Sequence, residues 1–425
     1  MLGDKEALQP AEGQVTNLRN WLQLAVVTAL AVPGPVLRTL EITGAPHPHF
    51  ESIVESIIFG IAIFAAATML VWATEVAEQL VSATLALAVL ALIAVLPEYA
   101  VDLYFAWTAH ANPDHAGFAL ANMTGANRLL VGLAWPVVFF IYWLKNKKHD
   151  LPVGKGNSVG LIFLGAATIY SFTILPRQHL GVWDGAVLIS LFVVYLILSS
   201  RGQPREEAEL VGPAQTIAAL PLRLRWGVVV GIFAFAAGTV FASAEPFANG
   251  LVDTGESFGI DEFILVQWVA PLASEAPEFI LAAILAMKGR AVAGLTVLIS
   301  SKVNQWTLLV GSLPIAYAIS GKTFDPLPMD SRQVEEVFLT AGQSLFAVAI
   351  LLSLSLNRRE AGIMFGLFAG QFFFPQPEVR WAFGVVYVAL AVVWLLRERR
   401  DVPRLFATAR DELSGKNARR PPNST

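Results

Sequence analysis

Apolar stretches of roughly 20 residues, the length that carries a helix across a bilayer, recur along the whole chain. They read as spans over 20–37 (interrupted by Pro33 and Pro35), 52–73, 80–107, 117–143, 157–175 and 182–199. The second half continues with 225–244, 260–287, 292–318, 334–354, a short 361–374 and 380–396. Charge is scarce to match: 15% of residues, against about 25% in soluble domains. The expected class is an all-α polytopic membrane protein of about 11–12 spans, in the cell membrane, with the lipid bilayer as its first partner. The chain has no cysteine, which excludes disulfides, thiolate metal sites and cysteine nucleophiles. A net charge of −4 offers nothing to nucleic acid. The segment MLGDKEALQPAEGQ lacks the basic region of a signal peptide. Residues 397–425 are basic, then rich in Pro, Asn and Ser, and are expected to be a disordered tail.

The longest polar break, 200–222, carries charges of both signs and three prolines, as a linker between two halves would. The expected organisation is an N-terminal segment 1–51 with a possible extra span, a first half 52–199, the linker, a second half 223–354 and C-terminal spans 355–396. Lysine and arginine in short loops report the cytoplasmic side. They cluster at 145–148, 201–225, Lys288/Arg290, Arg358/Arg359 and 397–404, which are alternate connections. The other connections, 110–115, 245–262 and 325–336, are acidic or nearly neutral. Both termini are therefore expected to be cytoplasmic, with Arg38 the exception to the pattern.

The halves resemble each other. GIAIFAAAT from Gly60 and GIFAFAAGT from Gly231 agree at six of nine positions. Each is followed by a span with Pro-Glu-aromatic, LPEYAVDLYFA at 96–106 and APEFILAAILA at 276–286. Each of these is followed by an amide-rich span ending in LLVG, LANMTGANRLLVG at 120–132 and ISSKVNQWTLLVG from Ile299. The charge bias runs the first Pro-Glu span outward and the second inward. The copies are thus inverted, about five spans each, the architecture of secondary transporters.

The chemistry lies in the paired segments 80–143 and 260–318. Proline removes a backbone donor and frees the carbonyl of the preceding turn, and in lipid that carbonyl must find a protein, water or ion partner. Glu98 follows Pro97, and Glu278 follows Pro277, so each freed carbonyl has a carboxylate nearby. Hard cations take such oxygens. A membrane acid costs at least about 2.5–3.5 kcal/mol, and two at related positions call for function beyond packing. Asn122 and Asn127 in the first copy, and Ser300, Ser301, Asn304 and Gln305 in the second, add amide and hydroxyl groups, which also serve as packing glue. Gly117, Gly125, Gly132 and Gly294 read as packing contacts.

A Pro-Glu helix followed by an amide-bearing helix, duplicated in inverted orientation around a linker, resembles the α-repeats of the calcium/cation antiporter superfamily, which includes the sodium/calcium exchangers. The resemblance covers about 52–354. It implies alternating-access exchange of Ca²⁺ or a related cation for Na⁺ or H⁺, with these ions as cargo and no cofactor. It also implies that Glu98 and Glu278 ligate the metal, with Asn127 and Asn304 as second-helix ligands. Aligning the LLVG segments instead sets Asn122 opposite Ser301. Where the family has Thr-Ser before Leu-Pro-Glu, this chain has Ala94-Val95 and Ser274-Glu275. Each second helix also carries a cation, Arg128 or Lys302. Asp102 lies four residues after Glu98 and Glu275 three before Glu278, so each extra acid shares a helix face with its motif glutamate. Buried membrane charges pair, and the expected pairs are Asp102 with Arg128 and Glu275 with Lys302. Alternatively, Arg128 or Lys302 stands in for a coupling ion, or locks the site so that transport is altered or lost.

An enzyme is the other class weighed. Only Asp102 is a central membrane aspartate, no H-E-x-x-H pattern is present, and the six histidines fall in or near predicted loops. No hydrolytic site can be assembled from these residues.

Overall fold

The computed structural model describes residues 9–48, 50–80, 95–200, 210–371, 374 and 376–414, with side chains from residue 18 onward. In chain order its helices are α1 (Gln9–Ala31), α2 (Pro33–Thr43), α3 (Ser52–Ala77), α4 (Leu96–Thr108), α5 (Asp114–Leu129), α6 (Trp135–Asn146), α7 (Ser158–Ser171) and α8 (Val182–Ser199). They continue as α9 (Pro213–Ala218), α10 (Leu222–Phe258), α11 (Glu262–Met287), α12 (Ala291–Asn304), α13 (Val310–Gly321) and α14 (Ser331–Leu351). The last are α15 (Arg358–Gln371), α16 (Pro377–Arg397) and α17 (Asp401–Leu413). Nine segments among the described residues are long and apolar enough to cross a membrane. Residues 81–94 of the expected span 80–107, residues 201–209 of the linker and residues 415–425 of the tail lie outside the described residues; the expectation of a disordered tail is corrected over Asp401–Leu413, which is helical with Leu405 and Ala409 buried.

The chain forms two compact units, one of residues 1–100 with 204–259, the other of 101–203 with 260–425. In the first, the matching nonapeptides lie on α3 and α10, which pack together. Gly60 admits the Phe247 ring, which would stand 2.8 Å from a Cβ there, and Gly250 sits over Ser56. Ser56 Oγ and Thr254 Oγ1 are 3.4 Å apart. Gly34, at the break between α1 and α2, lies against Ser243 and Ala62. Arg38 is paired with Glu41 at 2.9 Å and with Glu245, which neutralises the one basic residue out of place in the charge pattern.

The expected end of a span at residue 244 is corrected. Helix α10 runs through Pro246 to Phe258, about 55 Å at 1.5 Å per residue. A single internal proline removes one ladder bond. Phe247, Ala248, Leu251 and Thr254 are buried and hold the polar last turns in place. Gly259, at φ 64°, ends the helix in the left-handed conformation.

In the second unit α5 continues through a π turn, Leu130–Ala134, into α6, and α12 through another, Gln305–Leu309, into α13. The expected span 361–374 is a 14-residue helix, α15. Two short antiparallel ribbons tie loops: Asp150–Pro152 with Ser355–Asn357, and His179–Leu180 with Leu327–Pro328.

Candidate functional site

Helix α11 is started by Asp261, whose carboxylate accepts the Phe263 amide at 3.0 Å. It contains both Pro271 and Pro277, which free the carbonyls of Gln267 and Ala273 four residues back. The Gln267 carbonyl is met by Gly125 of α5. A Cβ at Gly125 would lie 1.8 Å from that oxygen, so the amide-bearing helix of one repeat is pressed against the proline defect of the other. Gly294 meets the Ala282 carbonyl in the same way, Gly132 the Phe368 ring and Gly117 the Gln333 amide. All four glycines are packing contacts.

Around this crossing stand three acids. Asp102 is fully buried and accepts from Asn122 Nδ2 at 2.9 Å. Glu275 is buried and accepts from Gln305 Nε2, which also reaches Ser301 Oγ at 3.3 Å. Ser301 and Gln305 are four apart, hence on one face of the turn. The Ser301 hydroxyl neighbours Glu278, and Glu275 lies in electrostatic range of Glu278, Asp102 and Lys302. Among the described residues, each acid keeps one oxygen without a hydrogen-bond partner: Asp102 Oδ2, Glu275 Oε2 and Glu278 Oε2, together with the amide oxygen Asn122 Oδ1. Buried acceptors are normally satisfied, so four orphans on interlinked residues form an electron-rich array for a hard cation. Ser274 is buried and reaches back to the Ala270 and Pro271 carbonyls at 3.4 Å. Among the described residues, no three acidic or histidine side chains already converge as a metal cage.

Lys302 is fully buried. Its ammonium donates to Asn127 Oδ1 at 2.7 Å and to the Asn127 carbonyl at 3.3 Å, and it stands 4.7 Å from the Trp306 ring centre. Asn127 Nδ2 donates to the Met123 carbonyl at 2.8 Å. Asn304 is buried near the end of α12. Glu98 is buried in the first turn of α4, and the division between the two units falls two residues later, after Ala100.

The expected pairing of Asp102 with Arg128 is corrected. Arg128 Nη2 binds Glu336 Oε2 at 2.6 Å, its Nη1 donates to Gln371 Oε1 at 3.1 Å, and its guanidinium lies 4.8 Å from the Trp268 ring centre. Arg128 is six residues beyond Asn122, about 120° around the helix, so Asn122 meets Asp102 while Arg128 faces elsewhere. Nor do Glu275 and Lys302 form a close ion pair. Glu275 takes Gln305, and Lys302 takes Asn127, a residue of the other repeat.

Sequence reasoning missed Glu335, Glu336 and Arg380. Arg380 Nε binds Glu335 Oε1 at 2.8 Å, and its Nη1 binds Glu336. The acids were assigned to a loop ending at 336, but Asp330 caps α14 earlier, by accepting the Arg332 and Gln333 amides. The cap residue three before Gln333 was the available signal. The two π turns were missed as well, and such turns collect at functional sites.

A family model described as sodium/calcium exchanger protein matches residues 52–201 and 228–397. A solved structure titled H+/Ca2+ exchanger CAX is 41% identical, with a TM-score of 0.88, over 94% of this chain and 99% of that one. Native YfkE, 18% identical, shares the fold with a TM-score of 0.56 over 88% of this chain and 99% of its own. The exchanger NCX_Mj, 16% identical, does so with a TM-score of 0.51 over 76% of this chain and 99% of its own. No curated protein sequence matches. A nearly all-helical chain with two inverted repeats is the architecture of these transporters. Matched over most of its length, the chain belongs to the sodium/calcium exchanger family of multi-pass membrane antiporters.

Proposed function

We propose that this antiporter exchanges Ca²⁺ for H⁺. The carrying observation is the set of interlinked membrane acids Asp102, Glu275 and Glu278, each with one oxygen left without a donor among the described residues. A carboxylate that binds Ca²⁺ must be deprotonated, so cation binding releases protons and protons displace the cation. That competition is what a Ca²⁺/H⁺ exchanger needs at its centre. The 41% identity to a structure titled H+/Ca2+ exchanger supports the same pairing of ions.

In this reading Glu278, Glu275 and Asp102 supply charge. Asn122, Ser301 and Gln305 orient the acids and add neutral oxygens. Glu98, one turn before Asp102, keeps the ligand role implied by the family resemblance. Ser274, Asn127 and Asn304 are auxiliary, Asn127 being engaged by Lys302. Both termini face the cytoplasm, on the charge pattern of the loops.

The test is ⁴⁵Ca²⁺ flux into proteoliposomes under imposed pH or Na⁺ gradients, with Glu278→Gln as control. Flux that follows the pH gradient and collapses in the variant supports the reading. Flux driven only by Na⁺ assigns the other coupling ion. No gradient-driven flux leaves a chain in which Arg128 and Lys302 have altered or abolished transport.

A further inference from the structure

A buried lysine in a membrane protein usually answers a carboxylate. Lys302 does not have one within ion-pair distance among the described residues: the close ion pairs there involve other cations. What surrounds its ammonium instead is an amide oxygen at 2.7 Å, a main-chain carbonyl at 3.3 Å and an aromatic face at 4.7 Å. Amide and main-chain oxygens are what a hard cation such as Na⁺ takes, and a ring face attracts any desolvated cation. The two oxygens belong to one residue, Asn127, on the turn just before the π turn of its helix. The next carbonyl, Arg128 O, likewise takes a side-chain donor, Gln343 Nε2, at 3.4 Å. Backbone oxygens are thus offered outward here, and one of them is filled by a charge carried on the protein.

We infer that Lys302 is a tethered monovalent cation: its ammonium occupies the oxygens of Asn127 that a free Na⁺ would otherwise use, and this makes the exchanger indifferent to Na⁺. Lys302 is therefore a specificity-determining residue, not a ligand of the transported ion. The inference rests on the Ca²⁺/H⁺ reading for its consequence and on the Asn127 geometry for its substance. A lysine carries a compact point charge with three donors, so it replaces one monovalent ion and leaves the acids Glu275, Glu278 and Asp102 for Ca²⁺ and protons. The bland alternative is a structural tie between α12 and α5, for which a neutral donor would serve equally well.

The test compares wild type with Lys302→Ala, Lys302→Gln and Lys302→Arg, using ⁴⁵Ca²⁺ flux in proteoliposomes under Na⁺ or pH gradients. A second readout is the melting temperature of detergent-solubilised protein in NaCl against choline chloride. Wild type and Lys302→Arg are expected to ignore Na⁺ in both. Lys302→Ala and Lys302→Gln are expected to gain Na⁺-dependent flux, about tenfold over wild type, and to melt at a higher temperature in NaCl. If Lys302→Ala fails to fold, Lys302→Gln, which keeps a donor to Asn127, carries the comparison. Neutral variants that fold yet show no Na⁺ response overturn the inference, as does a wild type that responds to Na⁺ as strongly as they do. A wild type without pH-driven flux defeats the Ca²⁺/H⁺ reading alone, since Na⁺ stabilisation confined to the neutral variants would still stand.

Discussion

Arg128 and Glu336, 208 positions apart in sequence, meet at 2.6 Å with each side chain only 1% exposed. Arg380 joins them and adds Glu335, so two guanidinium groups face two carboxyl groups. This cluster draws the Arg128 cation away from Asp102, which among the described residues keeps only Asn122 and so retains an unpartnered oxygen. Structural charge and the charge proposed to bind the cargo are thereby separated within one unit.

Breaking this cluster on one side is expected to be costly. Glu336→Gln leaves the buried Arg128 and the part-buried Arg380 with one carboxylate, a loss on the scale of 3–5 kcal/mol for a broken buried pair. The double variant Arg128→Met/Glu336→Gln should recover part of that loss. Thermal unfolding of the single and double variants in detergent checks it. Additive losses would mean that the two side chains do not depend on each other.

The contact of Gly125 with the Gln267 carbonyl is expected to tolerate no side chain. Gly125→Ala places a Cβ against backbone, 1.8 Å away, which cannot be relieved by a rotamer change. A loss at or above the roughly 1–3 kcal/mol of ordinary overpacking is expected, with a lower yield of folded protein. Gly362→Ala and Gly366→Ala, exposed in α15 with open space around them, should be neutral or stabilise by about 0.5–1 kcal/mol. Size-exclusion profiles and melting temperatures separate these outcomes.

The residues that hold the acids should matter less than the acids themselves. Gln305→Ala removes the donor of Glu275 and Ser301→Ala the hydroxyl that neighbours Glu278, and both are expected to weaken apparent Ca²⁺ affinity about 10–100-fold, the usual cost of an orienting partner. Glu275→Gln and Glu278→Gln should reduce flux to the level of empty liposomes while the protein still folds. Flux measured against Ca²⁺ concentration tells the two classes apart, and wild-type affinity in Gln305→Ala would contradict the arrangement.

Proton competition gives a direction for pH. Ca²⁺ requires deprotonated carboxylates, so apparent Ca²⁺ affinity should rise as pH rises, and saturating Ca²⁺ should flatten the dependence. Ca²⁺ titrations at several pH values measure this. Affinity that falls with rising pH would contradict it.

Much of the fold was legible because apolar length and helix coincide in a membrane chain. The spans at 52–73, 182–199 and 260–287 correspond to α3, α8 and α11 within a few residues. The continuation of α10 past Pro246 was not legible. Its last turns are polar outside and anchored by Phe247 and Leu251, so mean apolarity reads a loop where side-chain packing sustains a helix. At the site, Glu275 and Glu278 stood out as acids inside an apolar run. Their partners depend on how helices distant in sequence are rotated against one another. Spacing along α5 put Asn122 and Arg128 on different faces, but nothing local said which would meet Asp102 or that Arg128 would find Glu336. Residues 81–94, which precede Glu98, lie outside the described residues.

The most direct measurement records both ions at once: ⁴⁵Ca²⁺ uptake and internal pH in sealed proteoliposomes, with no Na⁺ present. Exchange of Ca²⁺ for H⁺ requires that added Ca²⁺ drive protons out in step with its entry, and that both signals vanish in Glu278→Gln. Ca²⁺ entry without any proton movement, or coupled movement that persists in Glu278→Gln, would contradict it.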